Sequence, residues 1–317
     1  MNPKFSVIVP LYNKARDIVE TLESVWAQTH TEFEVIVVDD GSTDHGMDLI
    51  SHHLDPRLRL FRQENQGVGP TRNFGVRQAK GRYVAFLDAD DYWHPHHLAD
   101  LHQITTVYSQ GQWFGTAYEK DFGSGQTRPM DTPLSNLAQD WSGPLDNFFV
   151  MAKKDCPAWT SALCFDKEFF SELGGFNPEI TLGAGEDTEL WIRAALASPL
   201  YFCNRVSARH RLQGSNRVSH APTLKRRFID LDQFNDAATQ RPDLKYYLDV
   251  NRYAIGLKYQ LAGESKIAAS YFDAIDVHSL TKKQRLLIHS PVWALNLMRH
   301  IQVLLLHCGW RLTAFER

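Results

Sequence analysis

Cysteine is scarce: the 317 residues contain four, Cys156, Cys164, Cys203 and Cys308. None forms a C-x-x-C pair, which excludes a zinc ribbon or redox dithiol of that pattern. Four in a chain of this length do not make a disulfide scaffold. They are expected as small buried hydrophobes in a reducing compartment. An excess of one charge is missing too. Lys and Arg total 34 against 37 Asp and Glu, a formal net charge of −3 with His neutral, so no nucleic-acid partner is expected. No run of 18 uncharged apolar residues occurs, and no transmembrane helix is expected. Met1-Asn2-Pro3-Lys4 leads into a strand-like segment with no signal-peptide core, so a cytoplasmic protein is expected. Internal repeats and low-complexity stretches are absent. Hydrophobic residues make up 43% and charged residues 22%, which excludes disordered, collagen-like and polytopic membrane classes. The length suits one large or two modest domains.

What is present begins with alternation. Residues 5–9 form a short apolar run, read as a buried strand. Residues 14–28 place Ile18, Leu22, Val25 and Trp26 on one helical face. A second strand, 33–38, runs into Asp39-Asp40-Gly41-Ser42-Thr43-Asp44, rich in turn and cap residues. A short helix near 46–54, a strand near 58–61, a loop and helix over Gly67–Ala79 and a strand over 82–87 follow. The last strand ends in Asp88-Ala89-Asp90-Asp91. Continuous apolar strands alternating with helices predict an α/β fold: a doubly wound, mostly parallel sheet with helices on both faces. Such sheets bind ligands beyond the carboxyl ends of their strands. The polar clusters Pro10–Asn13, Asp39–Asp44 and Asp88–Asp91 sit at those ends, which places a site there.

Residues 110–160 lack a regular pattern and are expected as loops and short strands. A strand at 161–165, a helix at 167–173 and a turn at Gly174-Gly175-Phe176 come next. Gly185-Glu186-Asp187 opens a helix over 187–197. Beyond about residue 220 strand signals vanish and helical periodicity dominates. This divides the chain into an α/β domain, 1–219, and a helical region, 220–317.

The carboxylates carry two readings each. Asp88, Asp90 and Asp91 crowd one strand end. Like charges raise each other's pKa unless a cation neutralises them, and hard oxygen ligands suit Mg²⁺ or Mn²⁺ held jointly with a substrate's phosphates. The alternative is a solvated acidic loop or helix cap. Among the acids of Gly185-Glu186-Asp187, one either caps the helix and favours its dipole or serves as a general base. His210 reads as structural or as a ligand. His94-Pro95-His96-His97 is expected as a helix start with exposed imidazoles, and His52-His53 likewise as exposed.

Taken in order, these segments resemble the family 2 glycosyltransferases, inverting sugar transferases with the GT-A fold. The matching stretches are Ser6–Asn13, Val38–Asp44, Gly67-Val-Gly-Pro-Thr-Arg-Asn73, Gly81–Asp91, Leu173–Phe176, Gly185–Asp187 with Leu190 and Trp191, and Arg209-His210 followed by Ser215. The resemblance covers about the first 215 residues. It implies a nucleotide-sugar donor, most simply a UDP-sugar, and a glycan or lipid-linked glycan acceptor, as in cell-surface polysaccharide synthesis. It also implies residue roles. Pro10, Tyr12 and Asn13 would line the nucleotide pocket, and Asp40 would accept a hydrogen bond from the base. Arg72 would lie near the donor phosphates, with Asp88 and Ala89 at the donor ribose or sugar. Asp90 and His210 would serve the divalent metal, Mn²⁺ or Mg²⁺. Asp187 would be the base, with Glu186 supporting it or touching the acceptor, and 110–160 would supply an acceptor-side wall. One departure is Pro70-Thr71 where a pair of small residues is common; Pro in a helix's first turn is tolerated.

Two other classes stand against this one. A nucleotidyltransferase would carry a Gly-rich basic phosphate loop where this chain has Pro10-Leu-Tyr-Asn-Lys14. A non-catalytic nucleotide-sugar-binding subunit would lack the base or metal acids, which are present. Finally, 290–312 is strongly apolar but interrupted by Arg299, His300 and His307. It is expected either to lie peripherally on the inner membrane face, with Trp293 and Trp310 at headgroup level, or to pack within the helical region or against a second copy.

Overall fold

The computed structural model describes residues 3–52, 55–123, 125–214, 216 and 221–307. The chain runs β1 (Phe5–Leu11), α1 (Ile18–Trp26), β2 (Phe33–Asp39), α2 (Gly46–Ser51), β3 (Leu58–Arg62), α3 (Val68–Gln78), β4 (Tyr83–Phe86), β5 (Tyr92–Trp93) and α4 (His97–Val107). It continues with β6 (Trp113–Asp121), β7 (Thr127–Pro129), β8 (Ser142–Leu145), α5 (Phe148–Met151), β9 (Leu163–Asp166), α6 (Lys167–Glu172), α7 (Glu186–Ala197) and β10 (Leu200–Arg211). Helices α8 (Asn235–Thr239), α9 (Pro242–Leu261), α10 (Ser265–Asp273), α11 (Lys282–Ile288) and α12 (Val292–His307) complete it.

All ten strands join one sheet, with the path β3-β2-β1-β4-β9-β6-β10-β5 and with β7 and β8 attached to β6 and β10. The first four strands are parallel, with Ile8 level with Ile36 on one side and Phe86 on the other. Every residue of β2 is buried, as is every residue of β1 except Pro10. Strands covered on both faces need apolar residues on both, which is why they read as unbroken runs. The sheet then turns mixed, because β9 runs antiparallel to β4 and β6 while β6 and β10 run parallel.

Two expectations need correction. Residues 110–160 contain β6, a nine-residue strand paired with both β9 and β10 at the middle of the sheet. Gly115 and the charged Glu119-Lys120-Asp121 end hide it; a Cβ at Gly115 would come within 2.9 Å of the Leu163 side-chain tip. The imidazoles of the histidine cluster are not exposed. His97 starts α4 as expected, yet it is fully buried, stacked on Trp93 at 4.2 Å with Nδ1 2.8 Å from Ser207 Oγ. His94 and His96 are half-buried. Burial pushes the His97 pKa well down, so a neutral ring fills this core position. His53 and Cys308 lie outside the described residues; Cys156, Cys164 and Cys203 form no disulfide among the described residues.

The expected boundary near 220 falls on 217–220, outside the described residues. Beyond it, Ile229, Leu231, Leu244, Tyr247 and Leu248 join the same core as the sheet, and Tyr247 meets Phe149 at 5.4 Å. A smaller core of Tyr253, Leu257, Ile275, Leu280, Leu287 and Leu295 holds the last helices together. Among the described residues, no helix is long and apolar enough to cross a membrane.

One close approach fixes the amino-terminal ends of the parallel strands. Glu34 accepts from Ser6 Oγ at 2.7 Å and Lys80 N at 2.6 Å, and Gly81 N donates to Ser6 Oγ at 2.8 Å. A Cβ on Gly81 would lie 2.7 Å from Ser6 N. Backbone cannot move aside as a side chain can. Gly81→Ala should therefore cost about 1–3 kcal/mol, read as a lower urea midpoint; an unchanged midpoint would show that this turn is not under constraint.

Candidate active site

Three loops meet at the carboxyl ends of β1, β2 and β4. The loop after β1 is tied to the loop after β2 by Asn13. Its φ of +51° puts it in the left-handed region, which Asn tolerates better than most residues. Its Oδ1 accepts from Thr43 N at 2.8 Å, and its own N–H donates to Ser42 Oγ at 3.0 Å. Asp44 closes the same junction by accepting from Ala15 N at 2.8 Å and Gly46 N at 3.0 Å. Asn13 thus builds the wall, and Pro10 lies half-buried at the end of β1. Tyr12 is 41% exposed and presents its ring at this edge.

Asp40 is 3% exposed. It accepts from Gln63 Nε2 at 2.8 Å, Gln66 N at 2.9 Å and Gly67 N at 2.9 Å. A carboxylate has about four acceptor positions, so three are spent on holding the loop into α3. Gly67 has a φ of +91°, a conformation that favours glycine, and leads directly into that helix. The next turn carries Arg72 and Asn73. Asn73 exchanges two bonds with Phe176, donating to its carbonyl at 2.7 Å and accepting from its N–H at 2.9 Å. Pro70 sits in the first turn of α3, as that position tolerates.

Arg72 occupies the centre. Its side chain is 4% exposed and lies over the Phe176 ring at 5.1 Å. Nη2 contacts Asp88 Oδ1 at 2.5 Å, and Nη1 lies 3.9 Å from Glu186 Oε1. Burial pulls its pKa down, but Asp88 and Glu186 more than offset this and the net shift is upward. The side chain is turned into the protein and offers a phosphate almost no surface. Asp88 keeps 30% of its side chain exposed. Ala89 is buried, and its carbonyl accepts from Thr21 Oγ1 at 3.0 Å.

Asp90 and Asp91 differ sharply. Asp91 is fully built in: Oδ2 accepts from Ser161 Oγ at 2.6 Å and Oδ1 from Arg211 N at 3.1 Å. Burial first, then Asp90 and Asp88, push its pKa well up. Ser161 also accepts from Asp88 N at 3.1 Å, so one hydroxyl bridges both ends of the acidic triplet. Asp90 pairs with Lys14 at 2.6 Å, and burial, together with Asp88, raises its pKa despite that lysine. A Cβ on Gly214 would sit 2.2 Å from its Oδ2, so Gly214 packs directly over the carboxylate. Neither Ser161 nor Gly214 had any signal in the sequence beyond residue type. Ser215 lies outside the described residues.

Among the described residues, no group of three or more His, Cys, Asp or Glu side chains converges to hold a metal. Mg²⁺ and Mn²⁺ with nucleotides commonly take one or two carboxylates and complete their shell with phosphate oxygens and water. Asp90, whose crowding leaves a deficit of positive charge, fits such an open site, where a metal would compete with Lys14. His210 lies elsewhere on the wall, stacked on Trp159 at 4.8 Å.

Glu186 and Asp187 open α7 after Gly185, whose φ is +105°. Asp187 is half-buried, and its Oδ1 accepts from Thr188 N, where the helix dipole favours a carboxylate. It faces a cavity of about 990 Å³ that Trp159, Trp191, His210 and the inner face of α9 also line. Glu186 is 6% exposed with Oε2 unpartnered. Burial and then Asp187 push its pKa up to about 7 against the pull of Arg72.

The residues matched by the known family can now be set beside this geometry. Residues 6–146 match the family model described as glycosyl transferase family 2. TuaG of Bacillus subtilis, named as a teichuronic acid biosynthesis glycosyltransferase, is 32% identical over 194 residues, covering 54% of this chain and 75% of TuaG. An uncharacterized glycosyltransferase of Nostoc sp. is 39% identical over 181 residues, covering 55% of this chain and 54% of its own. The chain spans between 30% and 54% of the length of four of its curated relatives. Among solved structures, residues 1–349 of S. aureus TarS in complex with UDP-GlcNAc superpose with a TM-score of 0.57 at 21% identity, covering 86% of this chain and 72% of that one. The chain belongs to glycosyltransferase family 2, and its fold is the GT-A fold with a helical carboxyl-terminal region.

The raised pKa of Glu186 has a stability consequence. The folded chain binds this proton more tightly than the unfolded chain, whose glutamate titrates near its ordinary value of 4.5. Stability is therefore lost as pH rises between roughly 4.5 and 7. Glu186→Gln should unfold at a higher urea concentration than the native protein at pH 8, by on the order of 1–3 kcal/mol, and match it at pH 4. A difference that does not vary with pH would contradict the burial of an ionisable Glu186.

Proposed function

We propose that the protein transfers a sugar from a nucleotide-sugar donor, a UDP-sugar, to a hydroxyl of a glycan or lipid-linked glycan with inversion at the anomeric carbon. The observation that carries this reading is the chain Asp88–Arg72–Glu186–Asp187. It links an open carboxylate at the strand edge to another on the wall of a large cavity. Membership of the family supports sugar transfer, and the TarS structure with UDP-GlcNAc supports a UDP-sugar.

In this reading the donor lies over the carboxyl ends of β1, β2 and β4. Tyr12 offers its exposed ring to the base, and the remaining acceptor position of Asp40 takes the base N–H. Pro10 and Asn13 shape that pocket. Asp88 receives hydroxyls of the ribose or sugar, against the backbone at Ala89. Asp90 would hold the divalent cation, Mn²⁺ or Mg²⁺, with His210 reaching it or the diphosphate; bound there, the cation offsets charge on the departing diphosphate. The acceptor enters the cavity, and Asp187 takes its hydroxyl proton as the oxygen attacks the anomeric carbon from the face opposite the leaving group. Arg72 keeps Glu186 and Asp88 in register with the base. We further propose that α12 rests on a membrane surface. Trp293 is 71% exposed and Leu297 is 54% exposed, while Leu295 between them is buried; residues 308–312 of the expected segment lie outside the described ones.

The test is donor binding by calorimetry with and without Mn²⁺, across UDP- and other nucleotide-sugars, followed by turnover. Metal-dependent binding of a UDP-sugar is expected, and binding of none by folded protein would overturn the proposal. Asp187→Asn should keep donor affinity and lose transfer by roughly 10²–10⁴-fold; near-native turnover would remove it as base. Asp90→Ala should weaken donor binding only in the presence of metal, and an unchanged metal titration would remove that role.

A further inference from the structure

The cavity beyond Asp187 carries an excess of positive charge among its described residues. Its described lining holds three cations, Lys120, Arg226 and Lys258, and a single acid, Asp187. The cations stand on two walls. Lys120 lies at the end of β6, level with His210 on β10, and pairs with Asp155 behind it. Arg226 and Lys258 come from the other wall. The Arg226 guanidinium donates to Ala221 O at 2.8 Å, and Lys258 rides over the Phe228 ring at 5.6 Å. Phe228 and Ile255, Leu257 and Leu261 of α9 add apolar surface beside these cations. Low-dielectric walls focus the field of the charges they carry, so these cations act across the cavity more strongly than they would on an open surface. Tyr12, Asp40 and Asp88 do not line this cavity.

The volume, about 990 Å³, is at the upper end for a drug-sized ligand and exceeds what one sugar ring fills. The Trp159 ring, with Tyr118 at 4.9 Å and His210 at 4.8 Å, lines the same cavity as Asp187 and supplies an aromatic wall. The α9 wall uses Asn251, Ala254, Ile255, Lys258 and Leu261, one face at helical spacing. We infer that the acceptor is an anionic glycan, whose phosphate or carboxylate is held by Lys258 and Arg226 while the ring bearing the attacking hydroxyl lies beside Trp159 and Asp187. The inference rests on the transfer reading above and deepens it by naming the acceptor's charge.

The experiment uses the full chain saturated with UDP, so that the donor cleft is filled, and ligand-observed NMR of three probes on one scaffold: glucose, glucose 6-phosphate and glucuronate. At least one anion should bind about tenfold more tightly than glucose, a difference of about 1.4 kcal/mol. Which anion is preferred separates a phosphorylated from a uronic-acid-bearing acceptor. Lys258→Gln, a change at an exposed helical position, should abolish most of the preference, and Lys258→Glu should invert it. Rising salt should weaken the anions and leave glucose unaffected. Equal binding of all three, binding of none, or a preference that survives both Lys258→Gln and Arg226→Gln in folded protein would overturn the inference. Loss of UDP binding with anion preference intact would instead overturn the donor reading, because the probes can be titrated without UDP.

Discussion

A guanidinium with almost no exposed surface has to find its compensation inside the protein. Arg72 finds it in Asp88 at the end of β4 and in Glu186 at the start of α7. These segments are far apart in the chain, and nothing but the fold brings them together. Removing a buried cation from between two carboxylates would leave like charges facing each other in a low-dielectric interior. The position of α3 is then set at its start and at its middle. Asp40 captures the loop that enters it, and Asn73 latches it to the turn before α7. The site is an electrostatic frame before it is a place where chemistry occurs.

This frame explains why many of the motif residues face inward. Asn13 and Asp44 hold two loops together, Asp40 holds a third, and Asp91 with Ser161 anchors the acidic triplet. Among the side chains that remain open to a ligand are Tyr12, part of Asp88 and Asp187. A motif rich in Asp and Asn is therefore largely a prescription for backbone geometry. The short polar side chains are needed because they accept from N–H groups that loops leave unpaired.

The parallel half of the sheet and the gathering of polar clusters at its carboxyl edge were legible in the sequence, because strands buried on both faces and polar loops at their ends follow directly from solvation. Helix α7 and its acidic start were legible for the same reason. The central strand β6 was not, since Gly115 and the charged tail of that strand break the apolar signal that pairing on both sides would otherwise impose. The burial of His97 was not legible either. A histidine beside Pro95 and two other imidazoles looks solvent-facing, and only the stacking on Trp93 and the bond to Ser207, more than a hundred residues away, make it a core residue. Nor could the sequence reveal that the wall opposite Asp187 would come from α9, because that contact depends on how the helical region folds back over the sheet.

That folding back separates two kinds of constraint. The strand-edge frame is assembled from the first half of the chain and from α7, and its members depend on one another atom by atom. Helix α9 contributes to the cavity with one face only, through side chains that mostly answer to volume and charge, while other residues of the same helix, Leu244 and Leu248, secure it to the core. Substitutions at Ala254, Lys258 or Leu261 can therefore accumulate without disturbing the buried charges around Arg72. On the reading proposed above, a lineage built on this scaffold can explore new acceptors by drift on a single helix while its donor side stays fixed.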